Sequence, residues 1–265
     1  MRSHCVEARR ARPLLGTFVE IAARAPNETI LRRAIAVGFI AVTEVQWRMN
    51  RHDPLSELSR LNREAARRKV AVHRSTLAVL RAAERFARES DGAFDITAGS
   101  EGSWRDVLID EDGRVHFRRP LTIDLGGIAK GFAVDRAIAA LRKAGAISGI
   151  VNAGGDLRVF GDEVQAVQVR HPLDPGHPAG MVHLRDRALA TSGRYFSSAL
   201  VDGRTGGSLP GATSVTVAAR DCLTADSLTK IAFALRGAAE ELLARYEADA
   251  FLLEKGLSPR WLSRR

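Results

Sequence analysis

Between residues 123 and 135 the chain reads IDLGGIAKGFAVD, two acids, three glycines and a lysine set in an apolar frame. A core strand needs none of those polar residues, and a solvated loop would not be so apolar at its edges. The run LTIDL, residues 121–125, reads as a short strand and Gly126-Gly127 as a turn. Ile128, Phe132, Asp135, Ile138 and Leu141 then fall at helical spacing. Strand, glycine pair and helix make a corner that aims bare backbone N–H groups at an anion, aided by the helix dipole. Lys130 adds a full positive charge at the same end, and Asp124 sits at the strand side of the turn. The same residues also suit a plain structural use, with glycines for close packing and a solvated lysine. Neither GxxxxGK[ST] nor GxGxxG occurs at this corner.

The rest of the chain sets this corner among mixed elements. Residues 14–24 alternate as an early strand, and Ile30, Ala34, Ala41, Val45 and Met49 mark a helix capped by Asn27 or Thr29. NRHDPLSELSRLN, with Ser56, Ser59 and Asn62, reads as a polar loop, and a second helix runs from about Ser75 to Glu89. RDVLID and RVHFR flank the turn EDG as a hairpin, and ISGIVN and LRVFG flank AGGD as another. AVQVR, MVHLRD, TSVTVAA and DAFLLE are strands, LTADSLTKIAFALRG and AAEELLARYEA helices, and ALATSGRYFSSALVDGRTGGS a polar, glycine-dotted stretch. Without strict βα alternation the fold class is α+β, mixed or antiparallel sheets with packed helices, in one domain over residues 1–265.

Composition narrows the functional classes. At 265 residues, 45% hydrophobic and 27% charged, the chain can bury a substantial core. No apolar run approaches the ~18 residues of a membrane span. The basic start lacks a following apolar h-region, so the expected location is the cytoplasm. Cys5 and Cys222 are too few for a disulfide framework. The net charge of +9 comes largely from scattered arginines, with only 6% aromatics. That field suits phosphate-bearing ligands, and nucleic acid is not expected as a partner. The histidines show no zinc spacing, and GxSxG is absent.

Three further polar corners stand out. VNAGGDLRVFG places Gly154, Gly155 and Asp156 at a hairpin, a natural turn and also a candidate binding corner. ATSGRY and DGRTGG offer Ser192, Gly193, Arg194 and Arg204 to a phosphate or ribose, or simply cap loops. In TADSLTK, Thr224 or Asp226 can cap a helix; the other reading is a hard-metal or diphosphate site.

In this order LLGTFVEI, SELSRLN, GAFDIT, IDLGGIAKGFAVD, NAGGDLRVFG, ATSG, DGRTGG and ADSLTK resemble the FAD:protein FMN transferases, the ApbE-like family, over roughly residues 14–254. The resemblance implies two lobes around a flavin-nucleotide cleft. It implies Mg²⁺-dependent transfer of FMN from FAD to a threonine of an acceptor protein, with release of AMP; some relatives hydrolyse FAD instead. An FAD-binding protein without transfer activity is the other alternative. Carried over, Ala129 offers a carbonyl and Asp226 and Thr229 their side chains to the metal. Asp226 and Lys130 serve the chemistry. Asp95, Thr97, Asp124, Gly126, Gly127, Lys130, Asp135, Gly154, Gly155, Asp156, Ser192 and Gly193 line the nucleotide.

This sequence departs from that pattern at two positions. A family histidine three residues before the aspartate of DPRTG is replaced by Ala199, ahead of Asp202. A family threonine four residues after the helix aspartate is replaced by Lys230, with Thr229 one place early. A one-residue shift turns a helical side chain by ~100°, so the Lys230 ammonium is expected to crowd the metal position and pair with Asp226. GATS, residues 211–214, resembles an acceptor motif and equally reads as entry to the strand that follows.

Overall fold

The computed structural model describes residues 5–171, 174, 178–193, 201–207, 212–254 and 260–263. Its strands are β1 (Val6–Leu14), β2 (Thr17–Ala25), β3 (Val70–Ala71), β4 (Val107–Ile109), β5 (Arg114–Phe117), β6 (Ser148–Ala153), β7 (Asp156–Phe160), β8 (Gln165–Arg170), β9 (Pro178–Leu184), β10 (Ala188–Gly193), β11 (Ala212–Ala219), β12 (Asp249–Glu254) and β13 (Arg260–Ser263). The helices are α1 (Glu28–Met49), α2 (Glu57–Glu64), α3 (Arg74–Glu89), α4 (Ala129–Lys143), α5 (Cys222–Leu235) and α6 (Glu240–Arg245). An eight-stranded sheet runs in the order β1-β2-β6-β7-β10-β11-β12-β13, every neighbouring pair antiparallel. A three-stranded sheet, β3-β5-β4, and the β8–β9 hairpin complete the strands.

Period-two burial builds the large sheet. Val19, Ile21, Ala23 and Ala25 of β2 are buried in alternation. On the helix side, α4 packs between α1 and α5 and touches β6 and β7, while α5 lies on β10 and β11. Leu31, Ala34, Ile35, Phe39, Val42 and Val45 form the buried stripe of α1, the i, i+3, i+4 pattern of a helix with one apolar face. Phe39, Phe86 and Phe233 are among the largest wholly buried side chains. Each contributes on the order of 2–3 kcal/mol of apolar burial. The apolar core is continuous from this layer into α2, α3 and the small sheet. A second cluster, with Leu157, Val159, Val169, Leu184 and Leu189, seats the β8–β9 hairpin.

Several local expectations are corrected. SELSRLN is helix α2 and not a loop: Ser56 Oγ accepts the Ser59 N–H at 3.0 Å, and that cap starts the helix. LTIDL is extended but joins no sheet. Its Ile123 N–H and C=O bond to the Asn62 side chain at 3.0 and 3.1 Å and its Asp124 N–H to the Ile96 carbonyl at 2.7 Å, so an amide and a loop carbonyl stand where a partner strand would. ALATSG is strand β10. Helix α5 is capped by Asp221, which accepts the Thr224 N–H at 2.8 Å, and Asp226 lies inside the helix. The edge strands β1 and β13 lie outside the runs read as strands; β1 is VEARRARPL, whose charge hides any alternation.

Candidate active site

A cleft of about 540 Å³ opens where the glycine corners meet. Gly126, Gly127 and Lys130 line it from the entry to α4, Lys230 from α5, and Gly154, Ser192 and Gly193 from strand ends. Phe94, Asp95, Ile96 and Ala98 contribute a further wall. A neighbouring cavity of about 500 Å³ shares Leu15, Gly16, Arg51, Asp124, Gly126 and Lys130 and reaches Ala129.

Local structure aims these residues. Gly154 and Gly155 take φ of +66° and +105°, a left-handed pair that only glycine adopts freely. That tight turn delivers Asp156 to the first position of β7 with 1% exposure. Lys130, on the first turn of α4, pairs with the Asp156 carboxylate, and the Thr191 N–H donates to the same carboxylate at 3.4 Å. Burial alone would lower the Lys130 ammonium, but Asp156 and Asp226 outweigh it and raise the group above its ordinary value, so it stays charged.

Asp226 is fully buried, and four residues on, Lys230 pairs with its Oδ1. The Lys230 ammonium also donates to the Asp226 carbonyl at 3.0 Å, and the Gly131 N–H donates to Oδ2 at 3.0 Å. The close approach of the two helices here explains Gly131. A Cβ there would lie 2.2 Å from the Cys222 carbonyl oxygen, so only glycine lets the first turn of α4 meet the N-terminal turn of α5. Thr229 bonds through Oγ1 to the Asp226 carbonyl and to Ser192 Oγ, both at 2.7 Å.

Asp135 has a different place. Its carboxylate accepts the Cys222 and Leu223 N–H groups at 3.0 and 2.8 Å and Arg158 Nη1 at 2.7 Å, holding the start of α5. It does not line the cleft. Burial pushes its carboxyl up, against those two amides and Arg158. Asp95 lines the cleft while accepting the Thr97 N–H and Oγ1, both at 2.8 Å, and the Trp104 N–H at 3.0 Å. Burial nonetheless raises it. Thr97 is buried behind it. Asp124 accepts the Gly126 N–H at 2.8 Å and pairs with Arg51 Nε at 3.3 Å at the cleft edge.

The structure thus brings Asp95, Asp124, Gly126, Gly127, Lys130, Gly154, Ser192 and Gly193 to one cleft, with Asp156, Asp226 and Thr229 packed against it. Gly155 forms the adjoining turn without lining the cleft. Ala199, Arg194 and the side chain of Thr213 lie outside the described residues. Arg204 is paired with Asp202 at 2.5 Å. Sequence reasoning missed Leu15, Gly16 and Arg51. Leu15-Gly16 is the turn between β1 and β2, and its Leu-Gly step was the available signal.

A divalent cation does not fit the side chains as they stand. Asp226 has one oxygen on an amide and the other on an ammonium, and Thr229 is engaged on two sides. No cluster of three or more His, Cys, Asp and Glu occurs among the described residues. Mg²⁺ asks for near-octahedral oxygen ligation. A dication ~4 Å from an ammonium would meet about twice the ~4 kcal/mol repulsion of two unit charges at an effective dielectric of ~20.

An α+β protein with a glycine-cornered cleft floored by paired lysines and buried aspartates is the class this geometry defines. The chain belongs to the ApbE family, whose model matches residues 15–252. It is 29% identical over 227 residues to the FAD:protein FMN transferase of Vibrio cholerae, covering 70% of this chain and 68% of that protein. It is 27% identical over 241 residues to the FAD:protein FMN transferase of Treponema pallidum, covering 73% of this chain and 66% of that one. The chain therefore spans about two thirds of the length of these relatives. Among solved structures, the ApbE protein of Thermotoga maritima superposes with a TM-score of 0.88 at 25% identity, over 97% of each chain.

Proposed function

We propose that this chain is an FAD:protein FMN transferase acting at the cleft between the glycine corners. The observation that carries the reading is the pair of ammonium groups, Lys130 and Lys230, set beside Gly126, Gly127 and Gly154 in one cleft. Fixed cations beside bare backbone suit a diphosphate, whose charge rises on the leaving oxygen as the bond breaks. Family membership and the names of the relatives support FAD as the substrate and a protein as the acceptor, and the threonine hydroxyl is what the family resemblance implies.

In the reaction a threonine hydroxyl oxygen bonds to the phosphorus on the flavin side. The bond from that phosphorus to the bridging oxygen breaks, and AMP leaves with that oxygen. The hydroxyl proton passes to a base. Asp95 and Asp124 are the carboxylates facing the cleft among the described residues, and Asp124, at its edge, is the more accessible. A positioned base typically contributes ~10²–10⁴ in rate. The Mg²⁺ that the family resemblance implies would fall on Asp226, Thr229 and the Ala129 carbonyl. Those side chains are already engaged by an amide, an ammonium and a hydroxyl and do not fit it.

Incubating the full chain with FAD and a threonine-bearing acceptor domain tests this reading. The expected result is one AMP released for each FMN gained by the acceptor, read by chromatography and intact mass. AMP with an unmodified acceptor would make the protein an FAD pyrophosphatase. Bound FAD with no AMP would make it a flavin carrier.

A further inference from the structure

Lys230 does more than exclude a metal. Its side chain faces the same cleft as that of Lys130, and the two lysine side chains are 17% and 33% exposed above carboxylates that are 0% and 1% exposed. The arrangement has a direction: buried carboxylates beneath, and the partly exposed lysine side chains that pair with them lining the cleft. A spacing of four residues puts Asp226 and Lys230 on one face of α5, so the pair is fixed by the helix itself. The glycine corner adjoins it, since a Cβ on Gly127 would lie 3.7 Å from Lys230 Cε. A wholly buried carboxylate needs a compensating cation, and here a side chain supplies it.

We infer that the Lys230 ammonium is the resident cation of this site, and that with Lys130 it clamps the diphosphate of a dinucleotide without a divalent metal. This rests on the flavin-dinucleotide reading above and fixes how that ligand is held. A metal would have to displace the ammonium from both oxygens that hold it on α5, the side-chain Oδ1 and the backbone carbonyl of Asp226. The diphosphate then meets two point charges on separate helices, Lys130 on α4 and Lys230 on α5. Gly131 sets the approach of those helices, so it also sets the spacing of the clamp.

Equilibrium FAD binding to the full chain, in Mg²⁺ and in EDTA, tests the inference beside a Mn²⁺ titration followed by electron paramagnetic resonance. The expected result is one FAD affinity in both buffers, within about twofold, and no saturable Mn²⁺ site. Lys230→Thr should weaken FAD binding in EDTA by about tenfold or more and acquire a Mn²⁺ site. Because that variant leaves Asp226 buried and bare, Lys230→Met combined with Asp226→Asn provides a neutral second form. It should fold, bind FAD about tenfold more weakly, and ignore Mg²⁺. An FAD affinity of the unaltered chain that rises about tenfold with Mg²⁺, or stoichiometric Mn²⁺ binding to it, overturns the inference while leaving the flavin reading intact. No FAD binding in either buffer overturns the flavin reading, and the clamp with it.

Discussion

Lys130 and Asp135 sit five residues apart on helix α4, both inside the most distinctive stretch of the sequence, and their surroundings differ. Lys130 rests on Asp156 with its side chain 33% exposed toward the cleft. Asp135 turns to the start of α5, where two backbone N–H groups and Arg158 surround its carboxylate. One charge is partnered from below and left open on top; the other is enclosed by donors. The difference teaches that a dense polar motif can mix ligand-facing and frame-holding residues at adjacent turns. Only the partners tell them apart.

The largest expected effect comes from opening the first region. Lys130→Met should weaken FAD binding by about 10–100-fold, the worth of a charge-assisted hydrogen bond of ~1.5–3 kcal/mol. It also leaves Asp156 buried and unpaired, which costs ~3–5 kcal/mol of stability. Equal FAD affinity in the folded variant would break the comparison. Gly131→Ala attacks the contact that both regions share. Forcing a Cβ onto the Cys222 carbonyl should cost about 3 kcal/mol and lower Tm by roughly 6–12 °C. A melting curve unchanged from the parent would mean that α4 and α5 do not meet as described.

Asp135→Asn sharpens the contrast from the other side. It keeps the shape but loses the charge facing Arg158 and the α5 amides, at about 2 kcal/mol of stability. FAD affinity of the folded protein should stay within about twofold, and a tenfold loss would put Asp135 back among the ligand residues.

The smallest effect is remote from both regions. Tyr246 donates to Glu89 Oε2 at 2.6 Å, and burial and that carboxylate push its phenol up to about 12. The folded value lies above the unfolded ~10, so this contribution is complete below about pH 10 and is lost as pH rises through 12. Spectrophotometric titration of the chain's two tyrosines should show one ionising near 12, unmoved by FAD. Tyr246→Phe should remove that step and about 1 kcal/mol of stability. Both phenols ionising near 10 would contradict the contact.

Much of the frame was legible because its periodicities are strong. Helix α1 and the hairpins β4–β5 and β6–β7 follow from apolar spacing and glycine turns. Helix α2 was hidden by its polarity, since eight residues with few apolar positions read as loop until the Ser56 cap is seen. LTIDL looked like a strand because extended apolar backbone is the same in sequence whether a strand or Asn62 satisfies it. At the site, glycine corners and lysines could be read locally. The role of Asp135 could not, because its partners Arg158, Cys222 and Leu223 are long-range. Lys230 was legible as a departure, and its place on Asp226 follows from helical spacing alone.

A crystal structure of the full chain with FAD, grown in Mg²⁺, shows directly whether the two lysines hold the diphosphate. The expected result is the diphosphate in the cleft, its oxygens within hydrogen-bond distance of the Lys130 and Lys230 ammonium groups, and Asp226 still paired with Lys230. FAD bound elsewhere, or a diphosphate bridged to Asp226 by a metal with Lys230 turned away, would contradict it.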